Sequence, residues 1–125
     1  MDKKIVTSNT LKSVGSYSIA VESNGFIFIS GQLPMNPATG EILMEIQPAC
    51  RQVLNNIQTL LEENGLSLSN IVKTTIFLKN INDFAAVNEI YADFFSTEPP
   101  ARSTVEVSNL PKGAPLEIEA VAIRK

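Results

Sequence analysis

Two charged residues stand where strands should be presenting apolar side chains. Arg102 lies in P-P-A-R-S-T-V-E-V (Pro99 to Val107), and Glu117 in L-E-I-E-A-V-A-I (Leu116 to Ile123). Strand alternation puts Arg102, Thr104 and Glu106 on one face, and Glu117 and Glu119 on one face of the next strand. With L-P-K-G (Leu110 to Gly113) read as the turn of a hairpin, two readings are open. In one, Arg102 and Glu117 form a cross-strand ion pair on a solvated edge, worth at most about 1 kcal/mol. In the other, Arg102 is a bidentate clamp for a substrate carboxylate, and Glu117, its pKa raised by partial desolvation, handles protons beside it. Tyr17 stands next to Gly15 and Ser16 at the mouth of an earlier hairpin, where a strand-end aromatic is equally ordinary. Asn88 shares a helical stripe with Phe84 and Tyr91, as a boundary polar residue also would. Ser30 and Gly31 either terminate a strand or let a ligand approach the backbone closely.

The absences narrow the chemistry further. The chain has no histidine, no tryptophan and one cysteine, Cys50. That removes zinc sites built on His/Cys clusters, Ser-His-Asp triads, Cys-His dyads and any disulfide within the chain. No Asp/Glu cluster has the spacing of a calcium loop, and no phosphate-cradling glycine loop is present. Carboxylate-only metal sites stay open, but the chemistry at hand is that of Arg, Glu, Tyr, backbone groups and water. A net charge of −3 with scattered lysines argues against nucleic acid as a partner. Apolar runs fall short of the roughly 20 residues of a membrane span, and the start, M-D-K-K-I-V-T, lacks the features of a secretory or mitochondrial leader. A cytoplasmic protein folding as one domain over residues 1–125 is the expectation.

The elements that must position these residues are legible as periodicities. Tyr17 to Val21 and Phe26 to Ile29 flank Asn24-Gly25, a hairpin signal because both turn residues tolerate positive φ. Ser30 to Gly40 is dense in turn formers and reads as a long loop. From Ile46 to Glu63 apolar residues recur at spacings of 3 and 4, predicting a helix stopped at Gly65, with Cys50 on its apolar stripe as core filler. Ile71 to Lys79 alternates like a strand. Asn82 or Asp83 caps a second helix whose stripe is Phe84, Val87, Tyr91, Phe94 and Phe95, and Glu98-Pro99-Pro100 ends it. Two strands close the chain, and Lys4 to Val6 suggests a short extra one. The order β-β-α-β-α-β-β predicts an α+β fold with both helices on one sheet face. The other face, carrying residues such as Phe28, Ile76, Val105 and Ile123 depending on register, would be covered by self-association.

Several blocks together resemble the RidA/YjgF family of reactive-intermediate deaminases along nearly the whole chain. They are G-S-Y (Gly15 to Tyr17), S-G-Q-L-P-x-N-P-x-T-G-E (Ser30 to Glu41), V-K-T-T-I-F-L-K (Val72 to Lys79), F-A-A-V-N-E-I-Y (Phe84 to Tyr91), P-A-R-S-x-V-E-V (Pro100 to Val107) and L-P-K-G-A-x-L-E-I-E-A (Leu110 to Ala120). The resemblance implies a chorismate-mutase-like fold assembled as a homotrimer around a sheet-lined core, with active sites between subunits and no cofactor. It implies hydrolysis of 2-enamine and 2-imino acids, of the kind pyridoxal-phosphate dehydratases release from serine and threonine, to 2-keto acids and ammonia. By position, Arg102 matches the arginine that grips the substrate carboxylate and Glu117 the glutamate that positions or activates water. Tyr17, Ser30, Gly31 and Asn88 match pocket residues, and Thr104 matches the backbone position against the substrate nitrogen. The chain departs from the family pattern at Ser16, commonly proline, at Ile19, often glutamine, and at Thr104, commonly cysteine.

Two other functions compete. One is the endoribonuclease or translation inhibitor of the family's other label, against which the acidic balance weighs. The other is a chaperone-like or ligand-sensing trimer in which Arg102 binds without turnover.

Overall fold

The computed structural model describes residues 2–124. Six strands form one sheet: β1 (Lys4–Val6), β2 (Ala20–Ser23), β3 (Phe26–Gln32), β4 (Ile71–Leu78), β5 (Ala101–Glu106) and β6 (Leu116–Ile123). Two helices, α1 (Ile46–Glu63) and α2 (Phe84–Phe94), complete an α+β fold. The spatial order is β1-β2-β3-β6-β4-β5, antiparallel throughout except for the β4–β5 pair.

Local chemistry accounts for most of these elements. Asn24 and Gly25 both take positive φ, 53° and 82°, and turn β2 into β3 with Ser23 opposite Phe26. Helix α1 buries Ala49, Cys50, Val53, Leu54, Ile57, Leu60 and Leu61, and it ends at Asn64 before Gly65 at φ 76°. Against it the sheet buries Ile27 and Ile29 of β3, Ile76 and Leu78 of β4, and Leu116, Ile118, Ala120 and Ala122 of β6. A Leu54→Ala change in this layer would cost about 3 kcal/mol in lost transfer and cavity terms. Burial pushes the Cys50 thiol up to about 12, so it stays protonated core filler, as its place on the stripe suggests.

The opposite sheet face is open in the single chain. Phe28 is 49% exposed and Val105 44%, with Phe26 beside them and Ile123 half-buried. Ile76 belongs elsewhere: at 0% exposure it faces the helices, because β4 in this register buries Thr74, Ile76 and Leu78 together.

Five further expectations change. Helix α2 ends at Phe94, with Phe95 as its C-cap at φ −124° and ψ 61°, so it stops ahead of Glu98-Pro99-Pro100 rather than at it. Tyr17 is outside β2, which starts only at Ala20, and sits in an irregular segment joining β1 to β2. β3 does not stop at Ile29 but continues to Gln32 through a bulge, with Ile29 opposite Ala120 and Gln32 opposite Ile118. Asp83 occupies the N-cap position of α2 without a side-chain cap bond, whereas the Asn80 side chain accepts from the Asn82 amide in the turn before it. The two closing strands are not a hairpin. β4 lies between β5 and β6, and residues 107–115 cross its end, held by Val107 N–H donating to Leu78 O (2.8 Å) and Lys79 N–H to Pro115 O (3.0 Å).

Candidate functional site

On edge strand β5, Arg102 pairs with Thr74 of β4, so its side chain rises on the helix side of the sheet. There α2 supplies an aromatic cradle. The guanidinium carbon stands 4.9 Å from the Tyr91 ring centroid and 5.4 Å from that of Phe84. Phe84, Asn88 and Tyr91 are one turn apart along α2, which brings Asn88 to the same surface. Tyr91 is itself fixed by a 2.7 Å hydrogen bond between its hydroxyl and that of Thr74, and burial raises its pKa. The two rings hold the guanidinium carbon in place, and among the described residues no hydrogen bond occupies its N–H fork. Among the described residues Arg102 forms no salt bridge; the pairs present are Arg51–Asp93 and Arg124–Glu22. The cross-strand ion pair with Glu117 is therefore absent. Thr104, two residues along on the same side, has a buried hydroxyl oxygen with no hydrogen-bond partner.

The second group lies on the open face. Glu117 pairs with Phe77, and its side chain crosses over the bulge of β3. A methyl placed on Gly31 would come within 2.5 Å of Glu117 Oε2 and 2.7 Å of its Cδ. Only a residue without Cβ leaves the carboxylate where it is. Glu117 and Glu119, one pleat apart, share a cavity of about 390 Å³ with Tyr17, Ser30 and Gly31, walled by Val14, Leu33 and Pro111. Partial burial and, secondarily, the Glu119 charge raise the Glu117 pKa. The Ser30 hydroxyl donates to Ser18 O (2.7 Å), a bond that ties the bulge to the segment carrying Tyr17. The Tyr17 hydroxyl accepts from Val14 N–H at 3.3 Å.

The structure thus gathers the sequence-predicted residues into two groups. Arg102, Asn88 and Thr104 stand on the helix side at the β5 edge; Tyr17, Ser30, Gly31 and Glu117 stand on the open face. Arg102 is level with Ala120 of β6, two strands away and three residues from Glu117 along it. That is roughly 10 Å across and roughly 10 Å along, with the sheet between. Alternation showed which residues share a face within each strand, but β4 between the two strands set their opposition. Sequence reasoning missed Phe84 and Tyr91 as the guanidinium cradle, although their spacing with Asn88 signalled one surface. It also missed Glu119 as the charge acting on Glu117. No group of three or more His, Cys, Asp or Glu stands together to hold a metal ion among the described residues. No helix there is long and apolar enough to cross a membrane.

The family model described as Endoribonuclease L-PSP matches residues 7–124. The chain belongs to the RidA/YjgF family. It is 48% identical over 126 residues to the RutC family protein PH0854 of Pyrococcus horikoshii, covering all of both chains. It is 44% identical over 128 residues to the 2-iminobutanoate/2-iminopropanoate deaminase of Escherichia coli, again covering all of both. Among crystal structures, YyfA of the conserved Rid protein family from Yersinia pestis superposes with a TM-score of 0.93 at 48% identity, covering 98% of this chain and 99% of that one. TdcF of Escherichia coli with bound serine gives 0.92 at 40% identity, with 98% and 99% covered.

Proposed function

We propose that this RidA/YjgF member hydrolyses small 2-imino and 2-enamino acids to 2-keto acids and ammonia, at sites completed between copies of the chain. The observation that carries the reading is the division of labour across the sheet. One group holds a stacked, salt-bridge-free guanidinium suited to a carboxylate, and the other holds a carboxyl group whose pKa is raised. The deaminase relatives, at 42–44% identity over their full length, support it.

In this reading the Arg102 fork grips the substrate carboxylate through two parallel N–H···O bonds. Glu117 takes a proton from water as the water oxygen attacks the imine carbon. The carbinolamine that forms receives that proton on nitrogen and collapses as the regenerated Glu117 carboxylate takes the hydroxyl proton, releasing ammonia and leaving the keto acid. For an enamine, protonated Glu117 first delivers a proton to the β-carbon, and the iminium then follows the same course. A carboxyl group titrating closer to neutrality serves both roles better than an ordinary one. No step in this scheme needs a cofactor. The half-sites of one chain face opposite ways, so a cyclic homotrimer, whose heterologous contacts close into a ring, sets Arg102 of one copy against Glu117 of the next.

The test is complementation. Arg102→Ala and Glu117→Gln are each expected to be inactive in a dehydratase-coupled assay of keto-acid formation. Unfolded together and refolded as a mixture, they regain about a quarter of wild-type activity, because a quarter of the interfaces pair two intact halves. Inactivity of the mixture despite mixed trimers would remove the shared-site reading.

A further inference from the structure

The segment joining β1 to β2 is far longer than its task requires. Val6 and Ala20 are direct cross-strand partners, a distance that a turn of a few residues spans, yet residues 7–19 intervene without helix or strand. Irregular connections of such length in a compact fold are usually functional. This one is a strap. Its far end carries Val14 and Tyr17, which wall the Glu117 cavity on one side and a second cavity of about 240 Å³ on the other. A shift of the strap therefore reshapes the space beside Glu117.

The near end is held by the last turn of α1. The Glu63 carboxylate accepts one bond on each oxygen, from the Ser8 hydroxyl and from that of Thr10 (2.7 Å). Asn64 Nδ2 donates to Thr7 O at 3.1 Å. The Ser8 hydroxyl oxygen also accepts from the amides of Thr10 and Leu11, and Leu11 is then buried in the core. At the other end Ser30 takes hold, through its hydroxyl to Ser18 O and its amide to Ile19 O. Between the anchors, residues 12–17 are exposed and carry only the weak Val14–Tyr17 bond and a Tyr17 N–H to Gly15 O bond. Where Tyr17 stands is thus decided by its two anchors. The hydrogen bonds from Ser8 and Thr10 hold the Glu63 carboxyl below its ordinary pKa, in keeping with a carboxylate engaged on both oxygens.

We propose that Glu63, at the end of α1, is a positioning residue that sets Tyr17 over the candidate site by hooking Ser8 and Thr10. This rests on the imine-hydrolase reading for its kinetic consequence but not for its structural one. In Glu63→Ala the competent strap position becomes a minority state, and apparent affinity falls by the competent fraction. KM for 2-iminopropanoate is expected to rise about fivefold with kcat unchanged, and exchange of the hydrogen-bonded strap amides, those of Thr10, Leu11, Val14 and Tyr17, to accelerate by a similar factor. The Ser8→Ala/Thr10→Ala double variant should show at least these effects, since it also removes the acceptor of the Thr10 and Leu11 amides, and adding Glu63→Ala to it should change nothing further.

Glu63→Gln separates a hook from a distant charge. A Ser or Thr hydroxyl can donate to or accept from the amide, so Gln restores both bonds without charge and wild-type KM is expected. A Gln variant as impaired as Ala would overturn the hook. So would strap exchange rates unchanged by Glu63→Ala, whatever the enzyme's activity. Absence of turnover in wild type, with exchange still accelerated in Glu63→Ala, would instead count against the hydrolase reading and leave the hook standing.

Discussion

Gly31→Ala is the substitution that most directly tests the geometry of the Glu117 group. The added methyl would lie 2.5 Å from Glu117 Oε2, 2.7 Å from Cδ and 3.0 Å from Cγ. Contact becomes ordinary only at 3.4 Å, so the carboxylate must retreat by about 0.9 Å. The atoms in the way belong to the end of a flexible side chain, and no positive φ at Gly31 forbids alanine. The fold should therefore lose only about 1 kcal/mol, a fall in Tm of about 4 °C. Displacing a proton-transfer group by about 1 Å costs catalysis far more, about a hundredfold in rate. The assay is keto-acid formation from a dehydratase-generated imine, run beside thermal melting and sizing of the assembly. A variant that keeps both its assembly and its melting temperature but works at the wild-type rate would refute the role given to the Glu117 carboxylate. A variant that loses its fold would refute the steric argument instead, since the relief would then have come from the backbone.

Arg102→Lys keeps the charge but loses the planar fork stacked between Phe84 and Tyr91, so kcat/KM is expected to fall about a hundredfold with little change in Tm; steady-state kinetics and melting check it together. The raised Glu117 pKa means that the folded chain holds this proton more tightly than the unfolded one. Stability therefore falls as pH rises from the ordinary carboxylate value through the raised one, and Glu117→Gln should flatten that fall in chemical denaturation at a series of pH values. Removing the second cause, in Glu119→Gln, should move the acidic limb of the rate profile to lower pH. Thr104→Val replaces an unpartnered buried hydroxyl with a methyl of similar shape and is expected to stabilise the chain by about 1 kcal/mol; a lower Tm would show that the hydroxyl is paired in the assembled protein.

Most of what is local is legible in the sequence alone. The 3-and-4 spacing from Ile46 to Glu63 and the Asn24-Gly25 turn follow from backbone preferences and from the need to bury one stripe, which act within a few residues of each other. Alternation likewise put Arg102 and Thr104 on one face, and Glu117 and Glu119 on one face, because side-chain direction in a strand is a property of the strand alone. Which strands become neighbours is not such a property. Pro111 to Gly113 looks like a hairpin turn whether it joins adjacent strands or carries the chain over a third, and β4 lying between β5 and β6 depended on where α2 could pack. The bulge at Ser30-Gly31 was equally hidden, since it exists only in relation to β6 opposite it. The sequence by itself determined most of the elements, which residues of one strand share a face, and the inventory of polar groups. Tertiary pairing alone decided that Arg102 and Glu117 stand back to back across the sheet, because strand order is settled by long-range packing that no short-range pattern encodes.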